Sequence, residues 1–452
     1  MSAIGSFRSR AQTVLESSGL ACFRTILRPQ DVAAAVRDAD CAPQRSTRCL
    51  TPEVVSWLMM LVALHTESMT QGLIRAWRWI RPFCPRCPSQ PVTEEAFCQA
   101  RADLPLRFWR SLWANLRQRY ESKFGAEMLW KGVFRVLAAD GSDVNLPIHP
   151  QLVEFFGRPK NGAGYAPAPQ GRLVGLCSVF TGFCVAFRFL RLRFSEHVGL
   201  RHLIRVLRPN DLLLTDRGLF SYVALWHIRS RKAHFLMRIS NQIAGLAERI
   251  QRLGSHEWMV RLCPSADCRR RWPGLPAEFT ARLIRYQIRG FRPSWLLTSL
   301  RSGKVASRTE LVELYHRRWA IETIWREWKH GLDIQNLRSK TPAGIFKEVH
   351  AQLLLSNLVR WVMTEATAGT PQCPLDLSFL TALTLVKNTM SILIWAPAQL
   401  RLPLYQQLLA DIRAARIRKR PGRSYPRPAD GKIRSKGHGK YQLPARLKKK
   451  IA

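Results

Sequence analysis

The chain has 452 residues, and its 71 Lys and Arg against 31 Asp and Glu give a net charge of +40 at pH 7. A hydrophobic fraction of 46% supplies enough apolar material for a sizeable core, which excludes a wholly disordered chain. A positive charge of this size destabilises a compact state unless a polyanion offsets it, so the composition predicts nucleic acid or an anionic membrane as partner. No uncharged run reaches the roughly 20 residues of a spanning helix, and neither a secretory signal nor an amphipathic anchor is recognisable. These features favour a cytoplasmic protein that binds nucleic acid and no membrane.

The first third of the sequence predicts helices. Thr51 stands before a proline, which is typical of a helix N-cap, and the apolar segment Val54–Leu64 follows. After a polar break comes Met69–Ile80, which carries Arg75 and Arg78. A helix, a short turn and an arginine-bearing helix are compatible with a DNA-reading helix-turn-helix. They are equally compatible with a helical hairpin that has a solvated basic face.

Eleven cysteines scattered along a long chain predict reduced thiols and no disulfide framework. Cys84 and Cys87 form one CxxC pair in a proline-rich stretch. A structural zinc site needs a second pair, and Cys41, Cys49 and Cys98 lack the matching spacing. The pattern therefore favours a turn over a zinc site.

The middle of the chain predicts an α/β core. Val133–Ala139 reads as a strand that ends at Asp140, and Leu173–Phe187 reads as a β-hairpin. The apolar run Asp211–Thr215 predicts a buried strand that leads directly into Asp216. Helical segments alternate with these strands, so we expect a mixed sheet with helices on its faces.

Short β-like runs between residues 240 and 300 predict a β-rich insertion, and the helices Thr309–Leu332 and Ala343–Ala366 follow it. From Arg413 to Lys450 the sequence has 15 Lys or Arg against one acidic residue, with Pro and Gly throughout. This tail is expected to be disordered without DNA. It is interpreted as a phosphate-binding arm, and a merely solubilising tail is the alternative.

One stripe of the predicted helix Thr309–Leu332 is polar. At about 100° per residue, Tyr315, Arg318, Glu322 and Lys329 fall within about 60° of each other, and apolar residues occupy the opposite side. The stripe presents a single acid between two cations and a phenol. A solvated face with a salt bridge between Arg318 and Glu322 is the plainer interpretation.

The spacing Tyr-x2-Arg-x3-Glu-x6-Lys resembles the YREK signature of bacterial insertion-sequence transposases, the insertion-sequence-four family and its DDE relatives. That family places two aspartates upstream, each after a core strand, and Asp140 and Asp216 occupy those places. Asp143 is a competitor for the first position, although Asp140 fits the strand end better. The likeness covers roughly residues 50 to 400. It implies a ribonuclease H-like mixed sheet with helices on both faces, a β-rich insertion before the last catalytic helix and a helical N-terminal domain.

The resemblance implies a division of the chain into four parts and a cut-and-paste transposition activity. The activity comprises binding of the terminal inverted repeats, metal-dependent strand cleavage, hairpin formation and strand transfer into target DNA. The four parts are a helical DNA-binding domain over 1–125, a catalytic domain over 126–366 with the insertion at about 240–300, a helical segment over 367–412 and the basic tail over 413–452.

The implied chemistry is two-metal phosphodiester cleavage. Two divalent cations about 3.5–4 Å apart activate the attacking oxygen and stabilise the leaving oxygen, and hard cations take oxygen ligands. The resemblance implies that Asp140 bridges two Mg²⁺ ions, for which Mn²⁺ can substitute, while Asp216 and Glu322 each hold one.

The resemblance also assigns DNA contacts. Tyr315, Arg318 and Lys329 would hold phosphates near the cut, and Trp295, ahead of a Leu-Leu-Thr-Ser run, would stack on a base pulled from the hairpin. The alternative for Trp295 is a buried aromatic of the insertion.

The implied partners are double-stranded DNA and a second copy of the chain on paired ends, with the protein associated with the nucleoid. No GxxxxGK[ST] loop is present, so ATP use is not expected. A catalytically inactive, transposase-derived DNA-binding protein is one alternative, although the presence of all three acids favours the enzyme. A structure-specific nuclease on the same core is another, but it leaves the Tyr, Arg and Lys of the signature unexplained.

Overall fold

The structure is a computed structural model that describes residues 21–42, 49–64, 68–84, 87–162, 164–288, 292–393 and 395–417. The helices and strands below belong to one compact unit, which comprises Met1–Tyr286 and Ser294–Ile417. Within the described ranges no helix is both long enough and apolar enough to cross a lipid bilayer.

The N-terminal part is helical, as the sequence predicts. The hydroxyl of Thr51 accepts a hydrogen bond from the backbone N–H of Val54, which caps the third helix at the predicted residue. Nearly every side chain of that helix is buried because neighbouring helices cover it on several sides. The helices of this part are α1 (Ala21–Arg24), α2 (Pro29–Ala39), α3 (Pro52–Val62), α4 (Met69–Ile80), α5 (Glu94–Asp103) and α6 (Leu106–Phe124).

A mixed sheet of ten strands forms the centre of the molecule, in the order β6-β5-β2-β7-β8-β12-β11-β10-β9, with β1 paired beside β2. The first long strand, β2, pairs antiparallel with β5, which pairs antiparallel with β6; on its other side β2 pairs parallel with β7, which is parallel to β8. This is the ribonuclease H-like arrangement that the resemblance implies. The first eight strands are β1 (Leu129–Trp130), β2 (Phe134–Asn145), β3 (Lys160–Asn161), β4 (Gly164–Tyr165), β5 (Gln170–Ser178), β6 (Cys184–Arg191), β7 (Asp211–Thr215) and β8 (His234–Ile239); β3 and β4 pair separately.

The predicted β-rich insertion extends the central sheet. Its last strand pairs antiparallel with β8, and the other strands follow outward. The core-facing side chains of the three inner strands are buried, Val260 and Leu283 among them, so the hydrophobic core continues into the insertion, whereas the outermost strand is exposed. Its strands are β9 (Glu248–Gly254), β10 (Glu257–Leu262), β11 (Phe279–Tyr286) and β12 (Ser294–Thr298).

Helices cover both faces of the sheet and connect it to the N-terminal part. The long helix over residues 342–367 is buried along most of its length, and the side-chain amide of Asn357 bonds both backbone groups of Cys184 at 2.9 Å. These helices are α7 (Pro150–Phe156), α8 (Glu196–Ile204), α9 (Tyr222–Ser230), α10 (Asn241–Leu246), α11 (Ala266–Arg271), α12 (Arg308–His316), α13 (Ala320–His330), α14 (Pro342–Thr367), α15 (Phe379–Leu393) and α16 (Ala398–Ala414).

Two sequence predictions need correction. The single helix over residues 309–332 is interrupted, because a 3-10 turn over Arg317–Trp319 separates α12 from α13. The first core strand does not end at Asp140 but runs on to Asn145, since β5 keeps pairing with it to that residue. The predicted basic tail lies outside the described residues from position 418 onward.

Candidate active site

Asp140 and Asp216 lie level with each other on neighbouring parallel strands. β2 and β7 pair with a constant offset of 76 residues, from Arg135 with Asp211 to Ala138 with Leu214. The same offset carries two residues further to Asp140 and Asp216. Residues in register on adjacent strands point to the same face of a sheet, so the two carboxylates face the same way.

The pairing between β2 and β7 ends near this level. β7 ends at Thr215, and Asp216 caps the 3-10 turn that follows by accepting a hydrogen bond from the N–H of Leu219 at 3.2 Å. β2 continues, so beyond this point it has β5 on one side and a gap on the other. Crevices at the carboxyl ends of parallel strands are the usual ligand sites of α/β sheets.

The carboxyl group of Asp140 has a raised pKa. Burial raises its pKa to about 6, against the opposing effect of a hydrogen bond from the N–H of Gly141 at 2.9 Å. The negative charge of Asp216 raises the pKa further, and the Arg318 guanidinium lowers it. A proton or a cation is therefore favoured between the two aspartates.

Glu322 reaches this edge because α13 lies over the strand paired with Asp140. Gly175 of β5 is the direct partner of Asp140, and a Cβ at Gly175 would lie 3.3 Å from the ring of Trp325. Directly paired residues share a face, so α13 covers the face to which Asp140 points. Glu322 precedes Trp325 by about one helical turn, which sets it beside the same crevice.

Arg318 links the helix to the acids. Its Nη2 donates a hydrogen bond to Oε1 of Glu322 at 2.9 Å, and its guanidinium is buried while the Glu322 carboxylate is partly exposed. The Nε of Arg318 is buried without a hydrogen-bond acceptor among the described residues. The salt bridge foreseen from the spacing is present, but it lies inside the crevice and not on a solvated face.

Tyr315 is also buried. Its hydroxyl donates a hydrogen bond to the backbone carbonyl of Thr215 at 3.2 Å, immediately before Asp216. Burial raises the pKa of the Tyr315 phenol well above its usual value, and the nearby Asp216 contributes in the same direction. In this structure Tyr315 anchors the end of β7 and is covered from solvent.

Lys329 and Trp295 lie further from the aspartates than the other signature residues. Lys329 follows Glu322 by about two turns of α13, on the same stripe, and is partly exposed. Trp295 pairs with Ile239 at the end of β8, one residue beyond the level of Asp216. It is half-buried, with the ring of Trp258 at 5.8 Å. The structure therefore places Tyr315, Arg318 and Glu322 beside the two aspartates. Trp295 lies at the same end of the strands, but because it pairs with Ile239 and not with Arg238 its ring points to the opposite face of the sheet.

The donor set suits a hard divalent cation, because it consists of carboxylate oxygens. The aspartate pair fits such an ion, since a cation would relieve the repulsion that raises the pKa of Asp140. Glu322 is bound to Arg318, and among the described residues no three His, Cys, Asp or Glu side chains are arranged to hold one ion. A cation at the aspartates would therefore compete with Arg318 for the carboxylate of Glu322.

Sequence reasoning missed two charged residues at this edge. Glu196 begins α8, and its carboxyl group lies where a Cβ on Gly141 would be, so the glycine makes room for it. Burial raises the pKa of Glu196, and Asp216 is among the smaller contributors to that rise. Arg238 lies at the level of Asp216 on β8 and lowers the pKa of Tyr315. The only available signal was an acid at a helix start and a charge in an apolar strand.

The other candidate residues lie elsewhere. Asp143 forms an ion pair with Arg172 at 2.8 Å. Arg75 and Arg78 are on the exposed side of α4. The helix-turn-helix role of that segment stays a prediction.

The cysteine pair closes a turn, in which the N–H of Cys87 donates to the carbonyl of Cys84 at 2.9 Å. The structure also brings Cys49 to the pair, with its Sγ at 3.0 Å from that of Cys87. Burial raises the pKa of the Cys87 thiol strongly, and its two cysteine neighbours act in the same direction. Cys87 is therefore held as a neutral thiol.

Comparisons with known proteins identify the family. Residues 131–358, just over half of the chain, match the family described as Transposase DDE domain, and the matched range contains both aspartates and Glu322. The transposase InsG for insertion sequence element IS4 of Escherichia coli (strain K12) is 27% identical over 345 residues, which are 75% of each chain. A piggyBac transposase, solved as a synaptic complex with hairpin DNA, aligns with 92% of this chain and 88% of its own at 12% identity and a TM-score of 0.45. With its match to more than half of the sequence, the chain belongs to the DDE transposase family, and it is a transposase enzyme.

Proposed function

We propose that this transposase moves an insertion sequence by a cut-and-paste route: it binds the terminal inverted repeats, cleaves both strands, closes a hairpin and joins the freed end to target DNA. The observation that carries the proposal is the level placement of Asp140 and Asp216 beside a gap in the sheet, with the helix of Glu322 lying over the same face. The likeness to InsG, a transposase for an insertion sequence element, supports an element end as the substrate.

Asp140, Asp216 and Glu322 are the proposed catalytic acids. DDE transposases use divalent metal ions, and a pair of Mg²⁺ ions would supply the activated oxygen and the stabilised leaving oxygen. Asp140 and Asp216 would hold the cations from the strands, and Glu322 would complete the site from α13, where a cation would compete with Arg318 for its carboxylate. Arg318 is then free to bind a phosphate, for which its planar fork is suited.

Trp295 is the proposed platform for the hairpin. A tight DNA hairpin is relieved when a base is extruded at a cost of a few kcal/mol, and stacking on an aromatic ring returns roughly 1–3 kcal/mol. Trp295 is partly exposed at the end of the sheet that carries Asp216, which supports this role. Its ring lies on the face opposite Asp216, so the extruded base would pass around that edge to reach it. Lys329, on the stripe of Glu322, would contact phosphates next to the cut.

The test is incubation of the full chain with labelled DNA carrying an element end, with and without magnesium. We expect magnesium-dependent nicks at the element boundary, followed by hairpins on the cleaved end. Binding without cleavage would identify an inactive transposase derivative. Cleavage that ignores the element end would identify a structure-specific nuclease, and either result would contradict the proposal.

A further inference from the structure

A cleft of about 390 Å³ opens where α8 and α9 end. Arg201, His202 and Arg205 line it from α8, and His227 and Arg231 line it from α9. In the described part of the chain no aspartate or glutamate lines the cleft. Three arginines therefore share one concave surface without an acidic residue among them.

The cleft lies on the face of the sheet away from Glu322. A Cβ on Gly199 of α8 would contact Val174 of β5 at 2.5 Å, whereas Trp325 of α13 lies over the next residue, Gly175. Successive residues of a strand point to opposite faces, so α8 and α13 cover opposite faces of the sheet. An occupant of the cleft is therefore not the phosphate held between Glu322 and the aspartates.

The positive charges in the cleft act on each other. Burial lowers the pKa of His202, and Arg188, Arg205 and Arg201 lower it further. Burial, Arg201 and Arg205 lower the pKa of His227 in the same way. The lowered pKa of both histidines indicates that, among the described residues, no nearby negative charge offsets the arginines. A bound anion would reduce the repulsion among these positive charges.

The cleft is also preorganised. The guanidinium of Arg201 lies 5.0 Å from the ring centroid of Trp272, and the ring of His227 stacks on Trp226 at 4.7 Å. Arg231 donates from Nε to the carbonyl of Leu207 at 3.3 Å, which leaves its terminal nitrogens to other partners. The carbonyl ends of α8 and α9 offset only part of the repulsion, since a helix C-terminus carries about half a negative charge.

We propose that this cleft binds the sugar-phosphate backbone of duplex DNA of any sequence, as a second DNA contact separate from the catalytic crevice. The inference rests on the proposed function in that it takes DNA as the partner. Arginine forks bind phosphate oxygens in pairs, and among the described residues the lining offers three arginines and an aromatic ring without an acidic side chain that would repel phosphates. The contact therefore adds affinity without sequence preference.

The experiment measures binding of the full chain to an unrelated duplex of about 30 base pairs, without divalent metal, over a range of salt concentrations. The test variant is Arg201→Gln with Arg205→Gln, and the matched control is Arg252→Gln with Arg301→Gln, two exposed arginines on β9 and in the loop after β12. Both variants lose the same charge. A thermal melt of each variant confirms that it is folded.

We expect the plot of log affinity against log salt to be flatter by about 1.8 units for the cleft variant, because each phosphate contact contributes about 0.9. That corresponds to about tenfold less affinity lost between 50 and 200 mM salt. The control is expected to keep the slope of the unaltered chain. Equal slopes for the two variants would overturn the proposal.

A polyglutamate competitor provides the second readout. If the cleft variant loses affinity for polyglutamate as much as for DNA, the cleft suits an acidic protein segment and the proposal is wrong. Failure of the proposed function is distinguishable, since it appears as absent magnesium-dependent cleavage by the unaltered chain. That measurement does not involve the cleft.

Discussion

Arg318 donates a hydrogen bond to Glu322 at 2.9 Å, and its positive charge lowers the pKa of Asp140. One buried guanidinium therefore offsets part of the negative charge of two proposed metal ligands. A cation that takes Glu322 must compete with this arginine. We therefore expect Arg318→Gln to raise the affinity for Mg²⁺ in the absence of DNA by about tenfold, since a hydrogen bond to a charged group contributes roughly 1.5–3 kcal/mol.

The measurement is the rise in melting temperature on titration with magnesium, for the unaltered chain and the variant. Arg326→Gln, an exposed arginine of the same helix, is the control and should titrate like the unaltered chain. Unchanged magnesium affinity in Arg318→Gln would show that Arg318 does not compete with the cation for Glu322.

The three acids should be separately indispensable for cleavage. Asp140→Asn, Asp216→Asn and Glu322→Gln keep the shape of each side chain and remove its charge, so each should slow cleavage at least a hundredfold, because metal-held oxygens contribute several kcal/mol to the transition state. DNA binding should be nearly intact in a mobility-shift assay. Asp143→Asn, which alters a carboxylate paired with Arg172, is the control for the choice of first aspartate. Cleavage retained in any of the three variants would refute the assignment of that residue.

Trp295→Ala should separate nicking from hairpin closure. The first nick should form at the parental rate, while hairpin closure slows by about 5–150-fold, the equivalent of roughly 1–3 kcal/mol of stacking. The melting temperature should stay unchanged, because the ring is partly exposed.

Trp258→Ala is the comparison, since that ring lies 5.8 Å from Trp295 within the same sheet. If Trp295→Ala loses stability and both steps together, the tryptophan is part of the core. If Trp295→Ala closes hairpins at the parental rate, Trp258 and Trp272 become the residues to test.

Removal of the basic tail should weaken DNA binding without changing its selectivity. The truncation belongs after Ile417, because Ile417 donates a backbone hydrogen bond to Asp376 at 2.8 Å and Arg416 bridges to Leu377. The slope of log affinity against log salt should flatten by several units, while the preference for element ends persists. An unchanged slope would show that the tail makes no contact with phosphates.

Assembly should depend on DNA. Repulsion between two chains of charge +40 disfavours a free dimer, and paired element ends would neutralise it. Light scattering should give one protomer in solution and two in the complex with cognate ends. A single protomer per complex under cleavage conditions would contradict this prediction.

Local pattern was enough to predict much of this site, because its parts are local. The bounds of β7 and the position of Asp216 follow from a short apolar run, and those of α4 follow from helical periodicity. The interruption at Arg317–Trp319 did not show in the sequence, since a helical wheel assumes a continuous helix. Glu322 and Lys329 both belong to α13, so the polar stripe that the wheel predicts is present between these two residues.

Long-range contacts account for what the sequence could not predict. The burial of Tyr315 depends on a carbonyl of β7 that is 100 residues away in the chain. The extension of the sheet by the insertion depends on the pairing of β12 with β8. Glu196 reaches the same edge of the sheet, from the opposite face, only because Gly141 leaves space for it. None of these contacts has a signature in a short window of sequence.

The pairing of β12 with β8 has a mechanical consequence. It ties the indole of Trp295 to the catalytic strands through an unbroken ladder of backbone hydrogen bonds, two strand spacings or about 10 Å from β7. An insertion joined by a hinge could move its aromatic ring toward the DNA. A strand of the same sheet instead holds the ring at a fixed distance from β7. In the proposed role of Trp295, the work of bending would therefore fall on the cleaved duplex, whose tip would have to reach the ring.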